Sequence, residues 1–335
     1  MKIVDFNYEH IEKAKEIALV NYERERRSVP VLPKEETVPD LEHFADNRLG
    51  VAAFEGEEML GFLCAYAPRE DAFGTTKVKG TFSPIHAHGV VLNDETEGDV
   101  TQVHTTKRYN RDRVYSLLYQ EAAKKWVKEG IRSHAIGLYA HDKDAINSFY
   151  YNGFGLRCID AIRSLEAIPD PVNIAEPFNT QLKYCELPRN EWGLLLEEHN
   201  ALISHLGNSP TFMKLDAMDQ AGLYQHAGED VRYFTAKKEG NHIAYIKISN
   251  DGENFATEDK KMININGAYC KPEFRGSGIY HNLLCYLMNV LKKEGYLLLG
   301  VDCESFNPTA RGFWLKYFAE YTHSVVRRID DKAVL

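Results

Sequence analysis

The sequence predicts an α/β protein of the α+β type, in which two similar halves follow one another. Segments with alternating apolar residues, typical of strands, are interspersed with segments whose apolar residues recur every three to four positions, typical of helices. The same order of elements occurs twice, at one constant offset that superposes Lys128–Gly130 on Lys293–Gly295 and Ala145 on Ala310. A tandem duplication is the simplest explanation.

In the first half, alternation and turn residues predict strands at 2–6, 51–54, 59–66, 135–139 and 157–162. Helical spacing predicts helices at 10–26, 114–128 and 142–152. Gly130 follows the second of these helices and is expected to cap it, because glycine readily adopts the left-handed conformation found after a helix.

In the second half, strands are predicted at 231–237, 242–249, 262–270, 296–303 and 322–329. Helices are predicted at 190–205, 211–224, 278–293 and 308–317. The 278–293 helix carries one apolar stripe at helical spacing, which predicts that its members are buried together: Ile279, Leu283, Leu284, Leu287, Met288 and Leu291.

Residues 166–190 have the weakest periodicity in the chain and contain four prolines. Proline breaks both helices and central strands, so this segment is predicted to be a linker or an extended crossing segment. The expected domains are therefore 1–165 and 191–335, joined by 166–190.

Composition indicates a globular protein that stays in the cytoplasm. The 335 residues are 44% hydrophobic and 27% charged, and no apolar run is long enough to cross a membrane. The first ten residues lack the apolar run of a secretory signal. Six widely spaced cysteines, without any Cys-x-x-Cys pair, are interpreted as reduced thiols.

The net charge of −9 is shared between the halves, with 22 basic and 26 acidic residues in 1–165 and 18 and 23 in 166–335. Without a basic patch or arm, neither a nucleic acid nor a membrane surface is expected as a partner. The sign of the charge mildly favours a cationic small molecule or peptide as a substrate.

The loop Lys271–Tyr280 joins a predicted strand to the long helix. Its glycines, Gly276 and Gly278, allow a tight turn whose N–H groups converge at a helix N-terminus, where a phosphate can bind. The Walker A and dinucleotide-binding spacings are absent. Taken alone, the loop is equally consistent with a turn that uses glycine only for its geometry.

Around this loop the sequence resembles the GCN5-related N-acetyltransferase (GNAT) superfamily. Pro272 followed by Arg275-Gly-Ser-Gly278-Ile matches its acetyl-CoA signature, although Tyr280 stands where glycine or alanine is usual. Further along the chain, Asn307-Pro-Thr-Ala310-Arg-Gly-Phe313-Trp314 matches a second motif, with tryptophan in place of tyrosine. The resemblance covers the second half and, weakly, the first.

This resemblance implies two tandem GNAT-like domains, each a mixed, mostly antiparallel twisted sheet flanked by helices. It also implies acetyl-CoA as co-substrate and no metal. The pyrophosphate would be held by Arg275 and the backbone of Gly276, Ser277, Gly278, Ile279 and Tyr280. The backbone of Tyr269 and Cys270 would pair with the pantetheine arm, Asn307 would bond to it, and Phe313 and Trp314 would pack beside the sulfur.

The first half departs from the signature. Asn110, Arg111 and Arg113 stand at the positions of Arg275, Gly276 and Gly278, so this half is predicted to have lost CoA binding. The alternative is that arginine side chains replace the backbone cradle.

Transfer of an acetyl group to an amine requires a base for the ammonium and an acid for the leaving thiolate. Glu304 is the predicted base, with Asp302 on the same strand face and Glu273 as alternatives. The family's tyrosine acid is missing, because Phe149 and Trp314 occupy its positions in the two halves. Tyr317, one helical turn later, is the predicted acid, and Tyr280 is the alternative.

Two other kinds of site are considered weaker. His86, His88 and His104 could form a metal site, but histidines two apart on a strand more often form ordinary polar contacts. Cys285 and Cys303 could be nucleophiles, but neither lies in a recognisable Cys/His motif, and both are interpreted as structural thiols.

The predicted function is therefore acetyl-CoA-dependent N-acyltransfer to a small-molecule or peptide amine, with the cofactor in the second domain. One alternative is an acyl-CoA-binding regulatory protein without catalysis. Another is a tandem acyltransferase that uses a different donor, such as aminoacyl-tRNA, which the acidic balance disfavours.

Overall fold

The computed structural model describes residues 1–70, 78–92, 110–225 and 228–333. Its strands β1 to β13 are, in chain order, Lys2–Asp5, Val51–Glu55, Glu58–Leu63, Gly80–Ser83, His88–Val90, Ser133–Tyr139, Gly155–Ser164, Leu182–Leu187, Arg232–Lys238, Asn241–Ser249, Met262–Cys270, Leu298–Glu304 and Ala319–Arg328. Its helices α1 to α8 are Ile11–Ser28, Glu42–Asn47, Arg111–Lys128, Lys143–Tyr151, Leu196–Gly207, Gln220–Gln225, Ile279–Lys293 and Pro308–Trp314. Within these residues no helix is both long and apolar enough to span a membrane.

The chain divides into two compact units, Met1–Ile159 with Glu320–Leu335 and Asp160–Ala319. Strand β13 belongs to the first unit because it pairs with β6 in antiparallel register, from Thr322 opposite Tyr139 to Arg328 opposite Ser133. The domains predicted from the sequence assign the same strand to the second half. The two divisions differ because strand pairing need not follow the order of the chain.

In the first unit, β1, β2, β3 and β5 form an antiparallel sheet, and β4 runs parallel to β6 beside β13. Helix α3 supplies much of the apolar core, with Tyr115, Leu118 and Trp126 fully buried. The indole N–H of Trp126 donates to the carbonyl of Leu49, which satisfies its buried polar atom.

In the second unit, β8, β9, β10 and β11 are antiparallel neighbours, and β12 runs parallel to β11. The mixed, mostly antiparallel sheets flanked by helices confirm the predicted fold class. The predicted stripe on α7 is also confirmed, since its six apolar side chains are all buried. Burial of each such side chain is worth roughly 1.5–3 kcal/mol, which anchors the helix that begins at the glycine loop.

The predicted helix at 211–224 is confirmed only in its last part, from residue 220. Residues 211–219 are not helical, and only Gln220–Gln225 forms a helix in this region. The segment buries little beyond Thr211, so helix formation would gain little packing. The side chain of Asn200 instead hydrogen-bonds to both the N–H and the carbonyl of Met218.

In addition, β8 forms within the segment predicted to be a linker, where it pairs with β9.

Two buried histidines should make the stability of the first unit depend on pH. Burial lowers the pKa of His86 and of His134 to about 4, below about 6.5 in the unfolded chain. Stability should therefore be complete above pH ~6.5 and fall towards pH ~4, by on the order of 1 kcal/mol per pH unit for each histidine. Urea unfolding can be followed by the fluorescence of Trp126, whose ring lies edge-on to His134 at 4.9 Å. His134→Gln should reduce the slope of the free energy of unfolding against pH. A slope equal to that of the wild type would contradict the role given to His134.

Candidate functional site

A cavity of about 630 Å³ lies in the second unit, between the end of β11, the glycine loop and helices α7 and α8, with the last turns of α5 beside it. Its wall includes two cationic side chains, Arg275 and Lys316. None of the described residues that line it is an aspartate or glutamate, although the chain has 49 acidic residues. This wall suits an anionic ligand.

The glycine loop forms the anion-binding end of the cavity. A single 3₁₀ turn, Pro272–Phe274, leads into Gly276 and Gly278, whose φ angles are 76° and 89°. Within the described residues, the amides of Gly276, Ser277 and Gly278 donate no hydrogen bond. Free amides just before α7, where the helix dipole adds positive potential, form an open cradle for a phosphate group.

Arg275 holds this loop against the end of β11. Its Nε donates to the carbonyl of Cys270 at 2.9 Å, and its guanidinium lies 5.7 Å from the ring centre of Tyr269. The side chain therefore fixes the loop and leaves positive charge on the cavity wall.

Strands β11 and β12 separate beside the cavity. Their parallel pairing extends only from Met262 opposite Leu298 to Ile265 opposite Val301, although both strands continue further. A β-bulge lies at the same place, because Lys247 pairs with Gly267 and Ile248 with Ile265, which leaves Asn266 as the extra residue. The backbone of β11 up to Cys270 thus has one edge that β12 does not pair.

Helix α8 forms the opposite wall. Asn307 caps it by accepting from the N–H of Ala310, and within the described part of the chain its Nδ2 group donates no hydrogen bond. The rings of Phe313 and Trp314 pack edge-on against Tyr280 at 5.0 and 6.1 Å. Tyr280 therefore bridges α7 and α8, and its hydroxyl donates to the carbonyl of Tyr245.

The cavity wall includes ten residues of the predicted site: Tyr269, Cys270, Arg275, Gly276, Gly278, Tyr280, Asn307, Phe313, Trp314 and Tyr317. Ser277 turns its hydroxyl to the carbonyl of Phe274, and the side chain of Ile279 is buried in the core. Both still contribute backbone at the loop.

The predicted base and its alternatives do not line the cavity. Asp302 interacts with Glu304, Glu253 and Asp160, and Glu304 also interacts with Glu253. Burial, together with these neighbouring carboxylates, raises the pKa of Asp302 well above its usual range. Burial and Glu304 likewise raise the pKa of Glu253. Proton transfer from a substrate in the cavity to Glu304 would therefore need water in between.

A cysteine nucleophile has little support from the structure. Burial raises the pKa of the Cys303 thiol to about 12 and also raises that of Cys285, so neither is a thiolate at neutral pH. Across the described residues, no group of three His, Cys, Asp or Glu side chains could hold a metal ion. His104 lies outside them.

At the corresponding place in the first unit, the loop is replaced by helix. Helix α3 begins at Arg111, earlier than the predicted start at Val114. Both Arg111 Nη atoms donate to Asp142 at 2.8 Å, and Nη1 also donates to Asp144 at 3.1 Å. The side chain of Asn110 accepts from the N–H of Arg113. These internal contacts favour the interpretation that this half lacks a pyrophosphate site.

Sequence reasoning missed three ionisable side chains of the cavity wall: His205, His281 and Lys316. His281 follows the matched signature directly, but its partners lie 36 and 111 residues away in the chain, so no local pattern could reveal them. His205 belongs to a helix whose side facing the cavity depends on tertiary packing.

Residues 199–319 match the model of the acetyltransferase (GNAT) family. A GCN5-related N-acetyltransferase from Sphaerobacter thermophilus is similar in structure over 100% of this chain and 97% of its own, with a TM-score of 0.57 at 12% identity. An acetyltransferase from the GNAT family from Colwellia psychrerythraea covers 98% and 100%, with a TM-score of 0.46 at 10% identity. A functionally unknown protein from Staphylococcus epidermidis is similar over 83% of this chain and 95% of its own, with a TM-score of 0.47 at 11% identity. No curated protein matched in sequence.

Proposed function

We propose that the protein transfers an acetyl group from acetyl-CoA to an amine, with the cofactor in the second unit, because residues 199–319 match the model of the acetyltransferase (GNAT) family. The first unit is a degenerate repeat without a CoA site. The acceptor is a small molecule or a peptide that presents a primary amine.

The free amides of Gly276, Ser277 and Gly278 are the observation that carries this proposal. They lie beside Arg275 in a cavity whose described lining has no carboxylate, and that combination suits a diphosphate. The space around Gly276 is also open, since a Cβ added there would meet no atom within 4 Å.

The remaining roles follow from position. The unpaired edge of β11 near Tyr269 and Cys270 offers backbone groups to the amides of a pantetheine arm, and the free Nδ2 of Asn307 offers a donor. Phe313 and Trp314 exclude water from the reacting end. Bound acetyl-CoA supplies an acetyl carbonyl activated by its bond to sulfur. Glu304 acting through water is the proposed base, and Tyr317 is the proposed acid.

A thermal-shift series with acetyl-CoA, CoA and longer acyl-CoAs tests the proposal. Acetyl-CoA at 100 times its Kd should add about 2.7 kcal/mol to the stability of the unit that binds it. An amine panel, with detection of the released CoA thiol, then tests transfer. The absence of stabilisation by both CoA and acetyl-CoA would rule out the assignment, whereas binding without thiol release would favour the regulatory alternative.

A further inference from the structure

A chain of hydrogen bonds runs from the cavity wall into the crossing segment. The hydroxyl of Tyr317 lies 2.8 Å from Nδ1 of His281, and Nε2 of His281 lies 2.9 Å from the carbonyl oxygen of Asp170. A carbonyl oxygen only accepts, so Nε2 carries the proton. In the neutral imidazole Nδ1 is then the acceptor, and the Tyr317 hydroxyl donates to it.

Both members of this pair line the cavity, on the wall shared with Asn307, Phe313 and Trp314. The other two phenols of the wall belong to Tyr269 and Tyr280, and the Tyr280 hydroxyl donates to a backbone carbonyl. The buried Trp314 carries no hydroxyl. Tyr317 is therefore the phenol of this wall that is hydrogen-bonded to an imidazole, whose ring nitrogens can both accept and donate a proton.

We propose that His281 is a positioning residue that holds Tyr317 ready to protonate the leaving thiolate and then restores its proton. This inference rests on the proposed function. When His281 is an imidazolium, Nδ1–H donates to the Tyr317 oxygen, and the Tyr317 O–H turns into the cavity. The carbonyl of Asp170 fixes the ring orientation in both states.

The proton balance closes within these groups. As the amine nitrogen bonds to the acetyl carbon, the C–S bond breaks and leaves its electron pair on sulfur. Tyr317 gives its hydroxyl proton to that sulfur and takes the Nδ1 proton of His281, which becomes neutral with its proton on Nε2. The attacking amine loses one proton to water, and water returns one to Nδ1 of His281.

Several titratable or charged groups face the pair. Arg163 interacts with Tyr317 and with Cys285, which also interacts with Asp170. The thiol of Cys285 donates to the carbonyl of Pro169 at 3.3 Å and lies 3.5 Å from His281 Nε2. Burial raises the pKa of Cys285 and of Tyr317, so both groups are protonated at neutral pH.

The hydrogen-bond arrangement can be tested in the ligand-free protein. Nitrogen-15 NMR of the His281 ring should show the neutral tautomer with its proton on Nε2. Tyr317→Phe should move the Nδ1 resonance of His281. The control is Tyr286→Phe, at a half-buried tyrosine of α7 outside the cavity wall, and it should leave that resonance in place. A neutral ring protonated on Nδ1 would overturn the relay, whether or not the protein binds acetyl-CoA.

Kinetics with the best amine of the panel test the role. His281→Gln and Tyr317→Phe should each lower kcat about 10²-fold, with the KM for acetyl-CoA within about twofold of wild type. The double variant should be no slower than either single one, because the two residues act as a unit. The control His323→Gln, at a half-buried histidine of the first unit, should have the kcat of the wild type.

The pH profile separates a relay from a merely structural role. In the wild type, kcat should fall as rising pH removes the proton that His281 passes to Tyr317, and His281→Gln should lose that pH dependence. A wild-type profile in His281→Gln, or multiplicative losses in the double variant, would refute the relay. Acetyl-CoA should still stabilise both single variants thermally; if it fails to stabilise even wild type, the proposed function itself fails.

Discussion

Gly278→Glu should abolish the thermal stabilisation by acetyl-CoA. The φ of 89° at this position disfavours any residue with a Cβ, and a Cβ built there would lie 2.6 Å from Cγ2 of Val172. The carboxylate would also place negative charge where the diphosphate is proposed to bind. The expected loss is the full ~2.7 kcal/mol measured at 100 times Kd.

The effect of backbone strain in Gly278→Glu must be separated from the effect of its added negative charge. Ser277 has no positive φ, so Ser277→Glu adds charge to the cradle without that strain, and Ser277→Gln is its neutral counterpart. The glutamate should weaken binding far more than the glutamine. Arg113→Glu, at the corresponding position of the first half, should leave binding unchanged. If Gly278→Glu and Ser277→Glu folded and still bound acetyl-CoA like wild type, the loop would not be the cofactor site.

Arg111→Met should destabilise the first unit by up to about 3–5 kcal/mol, because the buried carboxylate of Asp142 then keeps only the partly exposed Arg24, 3.3 Å away, as its counter-charge. Arg111 and Asp142 are 3% and 4% exposed and joined by two hydrogen bonds of 2.8 Å. Burial opposes ionisation of Asp142, but the Arg111 guanidinium holds its pKa below the usual range. Urea unfolding of the intact chain measures the loss.

A second substitution shows whether the charge is responsible. Asp142→Asn removes the carboxylate but keeps a good cap for α4, whose Ala145 N–H it accepts at 3.2 Å. The Arg111→Met, Asp142→Asn double variant should therefore recover much of the stability. Arg113→Met, at an exposed site, should change stability by less than about 0.5 kcal/mol. A small effect of Arg111→Met alone would mean that the pair contributes little.

Local patterns were sufficient for elements with strong, repeated signals. The α7 stripe and strand β11 lie where the sequence predicts them, because periodic burial leaves a periodic pattern. The cap positions also repeat, since Asp142 and Asn307 are separated by the same offset as Ala145 and Ala310, whose N–H groups they respectively accept. These two caps support the proposal of a tandem duplication.

Local patterns failed where packing, and not propensity, decides. Residues 211–219 looked helical but bury too little to be held in a helix. Strand β13 belongs to the first unit because it pairs with β6, which lies in the other half of the sequence. No local signal encodes that pairing. His281 was missed for the same reason, since both of its partners are distant in sequence.

The amino-acid sequence alone determined the class of fold, the glycine turn before α7 and the family of the second half, because each depends on residues that are neighbours in the chain. Only the tertiary structure decided that the loop amides are left free, that Arg111 is consumed by internal ion pairs, and that Glu304 lies off the cavity while Tyr317 meets His281. Those features depend on which distant side chains compete for the same polar groups once the chain has folded.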